Sequence, residues 1–320
     1  MTRQDVFSTV LQLVCNVFDS YSAVLFLPDP RSGCSLAASF SLGDSVRQGM
    51  ALAPGQGLAG WIIREGKPLL ISDFDRKRGV LGYYSGKAED EIRAFLGVPL
   101  PDVMGALCLD SKKVHGFGDK DLKILSEFAA LVSQLYLERE EIAENLTQTR
   151  LSQCLRRISG LARLYPKWSA YLRHFLNEAA EASGFEHCFL AVQGDAAKVF
   201  TIEGASRAVF PHDSSGPESF PLSGGMIGWV FKNNTPVYSQ DAEITVQRLF
   251  GVPGGAMPFT RLICEPVCFS RRVWSVLALA SREEGALYGA HKEFARGAAD
   301  QMASFLETLR LKSQLAKRGQ

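Results

Sequence analysis

The stretch GQGLAGWIIREGKPLLISD at residues 55–73 is repeated, without a gap, as SGGMIGWVFKNNTPVYSQD at residues 223–241. Trp61 and Trp229 therefore occupy the same position in the two stretches. Glycines, prolines and an aspartate recur in the same register, at Gly57/Gly225, Gly60/Gly228, Pro68/Pro236 and Asp73/Asp241. A long fixed period of this kind identifies two copies of one domain.

Each stretch predicts a short helix followed by a strand. Apolar residues recur at helical spacing, at Leu58, Trp61 and Ile62 in the first copy and at Met226, Trp229 and Val230 in the second. Gly66 and Asn234 follow, and these residue types readily adopt the left-handed conformation past a helix end. A proline then prevents helical continuation, and an apolar run indicates a strand.

The two copies remain parallel further out in the sequence. An amphipathic helical pattern precedes a β-rich run in both, and two adjacent antiparallel strands follow later. The matching strand pairs are 22–27 with 188–192, 96–100 with 263–267, and 105–109 with 275–279. Each half thus has the order helix, three strands, helix, strand, two paired strands, helix. This order predicts an α+β fold with helices on the faces of an antiparallel sheet.

The pattern resembles the GAF domain, a ligand-sensing module of signalling proteins. The resemblance rests on QGLAGW at 56–61, GKP at 66–68, Asp73, VPL at 98–100, GALCLD at 105–110 and FGDKDL at 117–122. The second half is more divergent. The resemblance implies a six-stranded antiparallel sheet in each copy, a pocket between one sheet face and covering helices or loops, and frequent dimerisation along connecting helices.

A long helix is predicted between the copies, because residues 119–164 contain no proline and a single glycine, Gly160. The expected organisation is a GAF-like domain at 1–137, a connecting helix at 138–164, and a second GAF-like domain with a C-terminal helix at 165–320. A helix of this length is far longer than the globular average.

An imperfect apolar seam follows this helix, and two interpretations of it compete. The seam residues are Leu135, Ile142, Leu146, Thr149, Leu155, Ile158 and Leu161. They could pack against a second chain, which is the favoured interpretation and predicts a homodimer with coiled-coil character, or against the chain's own domains. Acidic residues dominate 127–144 and basic residues 150–163, so the dimer could be parallel or antiparallel.

Composition limits the classes of partner. Lys and Arg total 35 against 34 Asp and Glu, which gives none of the basic excess of a nucleic-acid binder. The sequence has no apolar run long enough to span a membrane and no signal-peptide pattern at its start. Seven cysteines form no CxxC pairs and no even disulfide framework, so we expect a cytoplasmic protein.

Candidate pockets follow from the resemblance, since in GAF domains the segment after the Asp73 position covers the cavity. This segment holds Arg76, Tyr83, Tyr84, Arg93 and Phe95 in the first copy, and Arg248, Phe250, Met257, Phe259 and Arg261 in the second. Aromatic walls with cationic groups suit a small apolar molecule that carries an anionic group. The alternative is that the aromatic side chains fill the cavity and the arginines are solvated.

The candidate ligand-binding residues are Asp73, Tyr83, Tyr84, Arg93, Phe95, Cys108, Arg248, Phe250, Met257, Arg261 and Cys264. Cys264 and Cys268 share a strand face by the two-residue period, but two ligands do not complete a zinc site. The five histidines form no close pair. We therefore predict no metal site, and we find no signature for cyclic nucleotide or bilin, so the cofactor is left unassigned.

The leading hypothesis is a non-catalytic tandem GAF sensory protein that binds a small molecule and relays its presence through a dimerising helix. An enzymatic alternative is a GAF-fold thiol reductase acting on methionine sulfoxide through Cys108 or Cys34. A structural alternative is a ligand-free dimerisation scaffold. Because no effector pattern is recognised in the sequence, we expect output through a partner such as a histidine kinase or a transcriptional regulator.

Overall fold

The computed structural model describes residues 6–29, 33–43, 46–47, 49–53, 55–75, 80–84, 88–194, 198–210, 219–240, 244–253, 259–269, 272–283 and 285–318. The chain divides into two compact units, Met1–Glu141 and Ile142–Gln320. Each unit is described by itself.

The first unit contains one six-stranded antiparallel sheet with the predicted order of elements. The elements are α1 (Val6–Val17), β1 (Ser22–Asp29), β2 (Gly33–Ser41), β3 (Ala51–Leu52), α2 (Gly57–Glu65), β4 (Leu69–Ile71), β5 (Ala94–Pro99) and β6 (Ala106–Ser111), followed by the start of α3 (Asp119–Leu164). A single 3-10 turn at Ala88–Glu91 precedes β5. The strand order is β3-β2-β1-β6-β5-β4.

The second unit repeats this topology. Its elements are α4 (Trp168–Ser183), β7 (His187–Gln193), β8 (Val199–Ala205), β9 (Phe220–Pro221), α5 (Gly225–Asn233), β10 (Val237–Ser239), α6 (Val246–Phe250), β11 (Arg261–Phe269), β12 (Arg272–Ser281) and α7 (Gly289–Arg318). The strand order is β10-β11-β12-β7-β8-β9. Read in reverse, it matches the order of the first sheet, with β7 at the place of β1 and β12 at the place of β6. The predicted α+β duplication is confirmed, and α6 is an additional helix that the sequence pattern did not reveal.

Each sheet buries both of its faces, so each unit has two cores. In the first unit, one core lies between the sheet and residues of α1 and α3, such as Leu11 and Val132. The other lies on the side of α2 and includes Ile62. We call the side covered by α2, or by α5 in the second unit, the pocket face, and the opposite side the helix face. Side chains alternate between the two faces along each strand.

The repeated glycines are explained by close backbone approach. A Cβ atom on Gly60 would lie 2.7 Å from the carbonyl oxygen of Ala53, and one on Gly228 would lie 2.6 Å from that of Leu222. Real Cβ atoms do not come this close to a backbone oxygen, so only glycine allows α2 and α5 to pack here. The helices end as predicted, with Gly66 (φ 63°) and Asn234 (φ 51°) both left-handed.

The predicted long helix is confirmed, since α3 is one helix of 46 residues. Its early residues Leu125, Ala129 and Val132 belong to the helix-face core of the first unit. Its late residues belong to the helix-face core of the second, namely Leu151, Cys154, Ile158 and Leu161. The two ends of the predicted seam therefore pack within the chain. The middle of the seam does not, since Ile142 and Leu146 are 59% and 67% exposed.

Candidate functional site

A buried carboxylate lies on the pocket face of the first unit. Asp110 on β6 accepts hydrogen bonds from the hydroxyl groups of Ser22 (2.5 Å), Tyr83 (2.8 Å) and Tyr84 (2.9 Å). The hydroxyl oxygens of Ser22 and Tyr84 also lie 2.9 Å apart, so either hydroxyl can donate to the other instead of to Asp110. Three hydroxyl donors around one carboxylate form a closed network, which we call the Asp110 cluster.

The fold brings these four residues together from distant parts of the sequence. Ser22 on β1 is the cross-strand partner of Asp110 on β6. The two tyrosines lie in the segment between β4 and β5, where Tyr84 forms a β-bridge with Val46. In the same segment the Glu89 carboxylate accepts a hydrogen bond from the backbone N–H of Leu81. The covering segment is thus attached to the sheet by its side chains.

Burial sets the electrostatics of the Asp110 cluster. It raises the pKa of Asp110 to about 6, while the hydrogen bonds from Ser22, Tyr83 and Tyr84 act in the opposite direction. Burial also raises the pKa values of Tyr83 and Tyr84, and the neighbouring Asp110 charge adds to the effect. Because the pKa values of the tyrosines are raised and that of Asp110, although raised, is still below 7, the tyrosines remain donors and Asp110 is mostly ionised at neutral pH.

The first pocket is filled by its own side chains. Four of the predicted candidates, Tyr83, Tyr84, Phe95 and Cys108, are brought together on the pocket face and are buried. The predicted polar candidates are not brought there, since Asp73 and Arg93 are exposed. Arg93 donates a hydrogen bond to the backbone oxygen of Asp90 instead. Arg76 lies outside the described residues. The arrangement is the one in which aromatic residues occupy the cavity.

The second unit has different residues at the positions of the Asp110 cluster. His187 pairs with Ala280 as Ser22 pairs with Asp110, so alanine stands where the first copy has its carboxylate. Phe259, two residues before β11, bridges Ile244, and its ring lies 5.5 Å from that of His187. Burial lowers the pKa of His187, and among the described residues its Nδ1 has no hydrogen-bond partner. The second pocket face therefore lacks the closed polar network of the first.

Phenylalanine packing replaces that network. The ring of Phe250, the last residue of α6, lies 4.6 Å from that of Phe220, 5.3 Å from Phe210 and 5.9 Å from Phe189, measured between centroids. Phe200 stacks in turn on Phe220 at 5.3 Å. These rings form the pocket-face core of the second unit.

The other candidates of the second copy separate onto different surfaces. Cys264 joins Phe250 on the pocket face. Arg261 lies on the opposite face, where its guanidinium packs 4.7 Å from the centroid of Phe185 and donates to the backbone oxygen of Gly184. Arg248 is exposed on α6. Met257 lies outside the described residues.

Two open cavities flank α5 of the second unit. One, of about 540 Å³, lies between α5 and α6 and is lined by Met226, Trp229, Val237, Gln247 and Arg248. The other, of about 570 Å³, is lined by Gln193, Lys198, Leu222, Ser223, Phe231 and Lys232, together with Gly228. Both volumes are in the range of small-molecule sites.

Of the charged residues that line these cavities, the sequence predicted Arg248 as a candidate but neither Lys198 nor Lys232. A signal was available at Lys232, because the repeat places Arg64 at the same position and follows it with Glu65, whereas Lys232 is followed by Asn233. The change removes an acidic neighbour from the cation. Lys198 follows a loop whose length differs between the copies, so the repeat gave no register for it.

Six of the seven cysteines are buried, and Cys268 is exposed. None of the seven forms a disulfide. Burial raises the pKa of Cys108, and also that of Cys34, which disfavours the thiolate that nucleophilic chemistry needs. Cys264 and Cys268 were predicted on one face, but a bulge between Val267 and Cys268 interrupts the strand register.

The described residues include neither a cluster of metal ligands nor a membrane-spanning helix. They contain no group of three or more His, Cys, Asp or Glu side chains arranged to hold a metal ion. Among the same residues, no helix combines the length and apolarity needed to cross a membrane.

Comparison with known proteins gives a consistent family. The sequence model of the GAF domain matches residues 1–135 and, again, residues 169–307. Among curated proteins, no match to the sequence was found.

The solved structures similar to this chain are about one domain long. The GAF domain of a phosphoenolpyruvate-protein phosphotransferase from Acinetobacter has 20% identity and a TM-score of 0.43, covering 50% of this chain and 93% of its own. The corresponding domain from Coxiella burnetii has 16% identity and a TM-score of 0.45, covering 52% and 98%. Free methionine-R-sulfoxide reductase from Neisseria meningitidis, in complex with its substrate, has 14% identity and a TM-score of 0.44, covering 51% and 91%.

Proposed function

The chain belongs to the GAF domain family and contains two copies of the domain, and from this premise we propose that it is a non-catalytic regulatory protein. In the proposal, a small molecule binds to the second GAF domain, and the bound state alters the long helix α3. The first GAF domain is a structural partner whose pocket is closed by its own residues.

The Asp110 cluster is the observation that carries this division of roles. A ligand in the first pocket would have to displace Tyr83 and Tyr84 from Asp110, which would leave a buried carboxylate without donors. Removing the partners of a buried charge is strongly unfavourable, by about 3–5 kcal/mol. The second domain has alanine at the matching position and has open cavities on both sides of α5. Binding there requires no such disruption.

The proposed relay follows from the packing of α3. Leu151, Ile158 and Leu161 are part of the second domain's core, so a shift of that core moves them directly. The same helix supplies Leu125 and Val132 to the core of the first domain. A ligand changes the helix only if it has different affinities for two helix states. The coupling is therefore a difference in binding free energy, which can be measured.

We place the homodimer contact at the middle of α3. Ile142 and Leu146 lie one helical turn apart and are more than half exposed, although large apolar side chains are usually buried. Burial of these side chains against a second chain would remove apolar area from water, worth about 25 cal/mol per Å². A dimer would let a change in one helix alter a surface read by another signalling protein, such as a histidine kinase or a transcriptional regulator.

The non-catalytic part of the proposal is supported by the thiols. Cys108 and Cys34 are the candidate nucleophiles of the reductase alternative, and both are buried. Burial raises the pKa of each thiol. A reductase should lose its rate in Cys108→Ser and Cys34→Ser. We expect the wild-type chain and both variants to show the same negligible reduction of free methionine sulfoxide.

The dimer is tested by light scattering on the full chain. Wild type is expected to have twice the mass of the variants Ile142→Glu and Leu146→Glu, because a charge at the seam opposes burial. Gln148→Glu, an exposed neighbour on the same helix, is the matched control and should remain dimeric. A monomeric wild type, or dimeric Glu variants, would contradict the seam.

The relay is tested by hydrogen exchange on peptides from residues 142–164. We expect protection of these peptides to change when phenyl phosphate or benzoate is added at saturating concentration, and to change less in residues 119–132. Binding without any change in α3 would separate ligand recognition from signalling and would contradict the relay.

A further inference from the structure

The cavity beside the C-terminal half of α5 has a chemistry that differs from the rest of the second domain. We call it the lysine cavity, and its defining residues are Gln193, Lys198, Leu222, Ser223, Phe231 and Lys232. They come from the end of β7, the start of β8, the segment after β9, and α5. The space of about 570 Å³ is suited to a molecule of one or two rings.

The walls of the lysine cavity are held by the core beneath them. Gly194 donates its N–H to the backbone oxygen of Val199 (2.9 Å), and Leu222 donates to that of Lys198 (3.0 Å). The ring of Phe231 lies 5.8 Å from that of Phe200, which is buried in the pocket-face core. The apolar wall and the backbone that carries Lys198 are thus positioned before any ligand arrives, which reduces the entropy lost on binding.

The charges in this cavity have one sign. Its lining, among the described residues, has two lysines and no acidic residue. Within the part of the chain that the structure describes, neither lysine makes an ion pair. By contrast, another cavity of this domain, at the end of α4, is lined by Glu181, Glu186 and Glu283 with one arginine. Of these two, the lysine cavity is the one that complements an anion.

In the first GAF domain, the cation at the matching position has an acidic partner. Arg64, at the position of Lys232, pairs with Glu65 through a contact of 2.8 Å. In the second copy Asn233 replaces the glutamate, and its side-chain amide donates to the backbone oxygen of Trp229 (2.9 Å). Both copies therefore have a cation at this position, and only the first has an acidic residue directly after it.

We propose that the lysine cavity binds a small organic anion, with its carboxylate or phosphate between Lys198 and Lys232 and its apolar body against Phe231 and Leu222. Ser223 and Gln193 supply further polar groups at the rim. This inference deepens the proposed function, on which it rests, by assigning the site and the ligand class. An ammonium group binds such an anion through charge-assisted hydrogen bonds, which are stronger than neutral ones.

The test is isothermal titration of the full chain with four probes, three of which each differ from phenyl phosphate in one feature. Phenyl phosphate has the ring and the anion, inorganic phosphate has the anion alone, and benzyl alcohol has the ring alone; benzoate replaces phosphate by carboxylate. We expect one phenyl phosphate or benzoate per chain, and weaker binding of the other two probes. The stronger of phenyl phosphate and benzoate identifies the anionic group.

Two variants locate the site. Lys198→Gln and Lys232→Gln should each weaken the binding of the preferred probe by about tenfold or more, because each removes a charged hydrogen-bond donor. Arg64→Gln is the matched control at the same repeat position in the first domain and should leave the affinity unchanged. Unchanged affinity in both lysine variants, or no binding of any probe to wild type, overturns the proposal.

The same samples distinguish this site from the relay. If phenyl phosphate or benzoate binds through the lysines and protection in residues 142–164 stays the same, the site stands and the signalling role fails. If protection changes equally in wild type and in the lysine variants, α3 responds to a ligand bound elsewhere, and the lysine cavity is the wrong site.

Discussion

The pocket faces of the two GAF domains are packed through different kinds of side-chain contact. The first uses a buried carboxylate that accepts from Ser22, Tyr83 and Tyr84. The second uses stacked phenylalanines around Phe250 and has alanine in place of Asp110. The first pocket face is therefore held by directional hydrogen bonds to a buried charge, and the second by contacts between aromatic rings.

The peripheral residues follow the same division. Trp61 packs against the pocket-face core of the first domain, while Trp229, at the matching position, is 46% exposed beside an open cavity. Arg64 is paired with Glu65, while Lys232 has lost the acidic residue. Each difference is consistent with the proposed division between a structural first domain and a ligand-binding second domain. A duplicated domain in which one copy is structural and the other is free to bind would diverge in this way.

The largest effect is expected in the second domain, from Phe250→Ala. The change removes the ring at the centre of the phenylalanine cluster and should lower the free energy of unfolding of this domain by about 3–5 kcal/mol. Phe250→Leu keeps most of the volume and should cost roughly half as much. Hydrogen exchange of β7 and β12 peptides measures the loss, with β1 and β6 as the internal reference. Equal losses in both domains would mean that the domains do not unfold independently.

A pH-dependent effect is expected in the first domain. Its sign follows from the raised pKa of Asp110, about 6 when folded against an ordinary value of 3.8. The folded domain holds the proton more tightly, so this group adds stability below about pH 4 that is lost as the pH rises through about 6. Asp110→Asn does not titrate and lacks this loss.

The difference in unfolding free energy between Asp110→Asn and wild type should therefore shift in favour of the variant, by about 2 kcal/mol, between pH 4 and pH 6.5. Urea unfolding followed by Trp61 reports on the first domain when Trp168, Trp229 and Trp274 are replaced by phenylalanine in both proteins. A constant difference across this range would show that Asp110 is ionised with an ordinary pKa in the folded state.

The duplication made most of the fold predictable from the sequence. Two copies of one pattern confirm each other, so the helix ends at Gly66 and Asn234, the paired strands and the uninterrupted α3 were all correctly predicted. The short helix α6 was missed because five residues do not show a helical period. Local patterns also could not reveal that the ends of α3 pack in two separate cores.

The candidate site was less predictable, for reasons that differ between residues. Asp110 was named as part of the family motif but not as a site residue. A charge in an otherwise apolar strand, together with two tyrosines in the covering segment, did indicate a buried cluster. Arg261 and Cys264 were both predicted in the pocket. They are three residues apart on one strand, and because side chains alternate along a strand they lie on opposite faces. The bulge before Cys268 could not be foreseen, since bulges depend on cross-strand packing.

A smaller effect is expected from the two tyrosines of the Asp110 cluster. Tyr83→Phe or Tyr84→Phe removes one donor to the carboxylate and should cost about 1.5–3 kcal/mol above pH 6, where Asp110 is charged. The loss should shrink below about pH 4, where the carboxyl is neutral and hydrogen bonds to it are weaker. Tyr21→Phe, outside the cluster, is the control and should change stability by about 0.5 kcal/mol or less.

The smallest effect concerns the helix ends, where the two copies differ in one residue at the same left-handed position. Gly66→Ala should cost about 1–2 kcal/mol from backbone strain alone, because a Cβ there meets no other atom within 4 Å. Gly66→Asn introduces the residue of the second copy, which adopts this conformation more easily, and should cost only a few tenths of a kcal/mol. Urea unfolding followed by Trp61 measures both. Equal losses for Ala and Asn would mean that the preference of asparagine for a positive φ does not contribute to stability at this position. Gly66 and Asn234 would then be equivalent in position only.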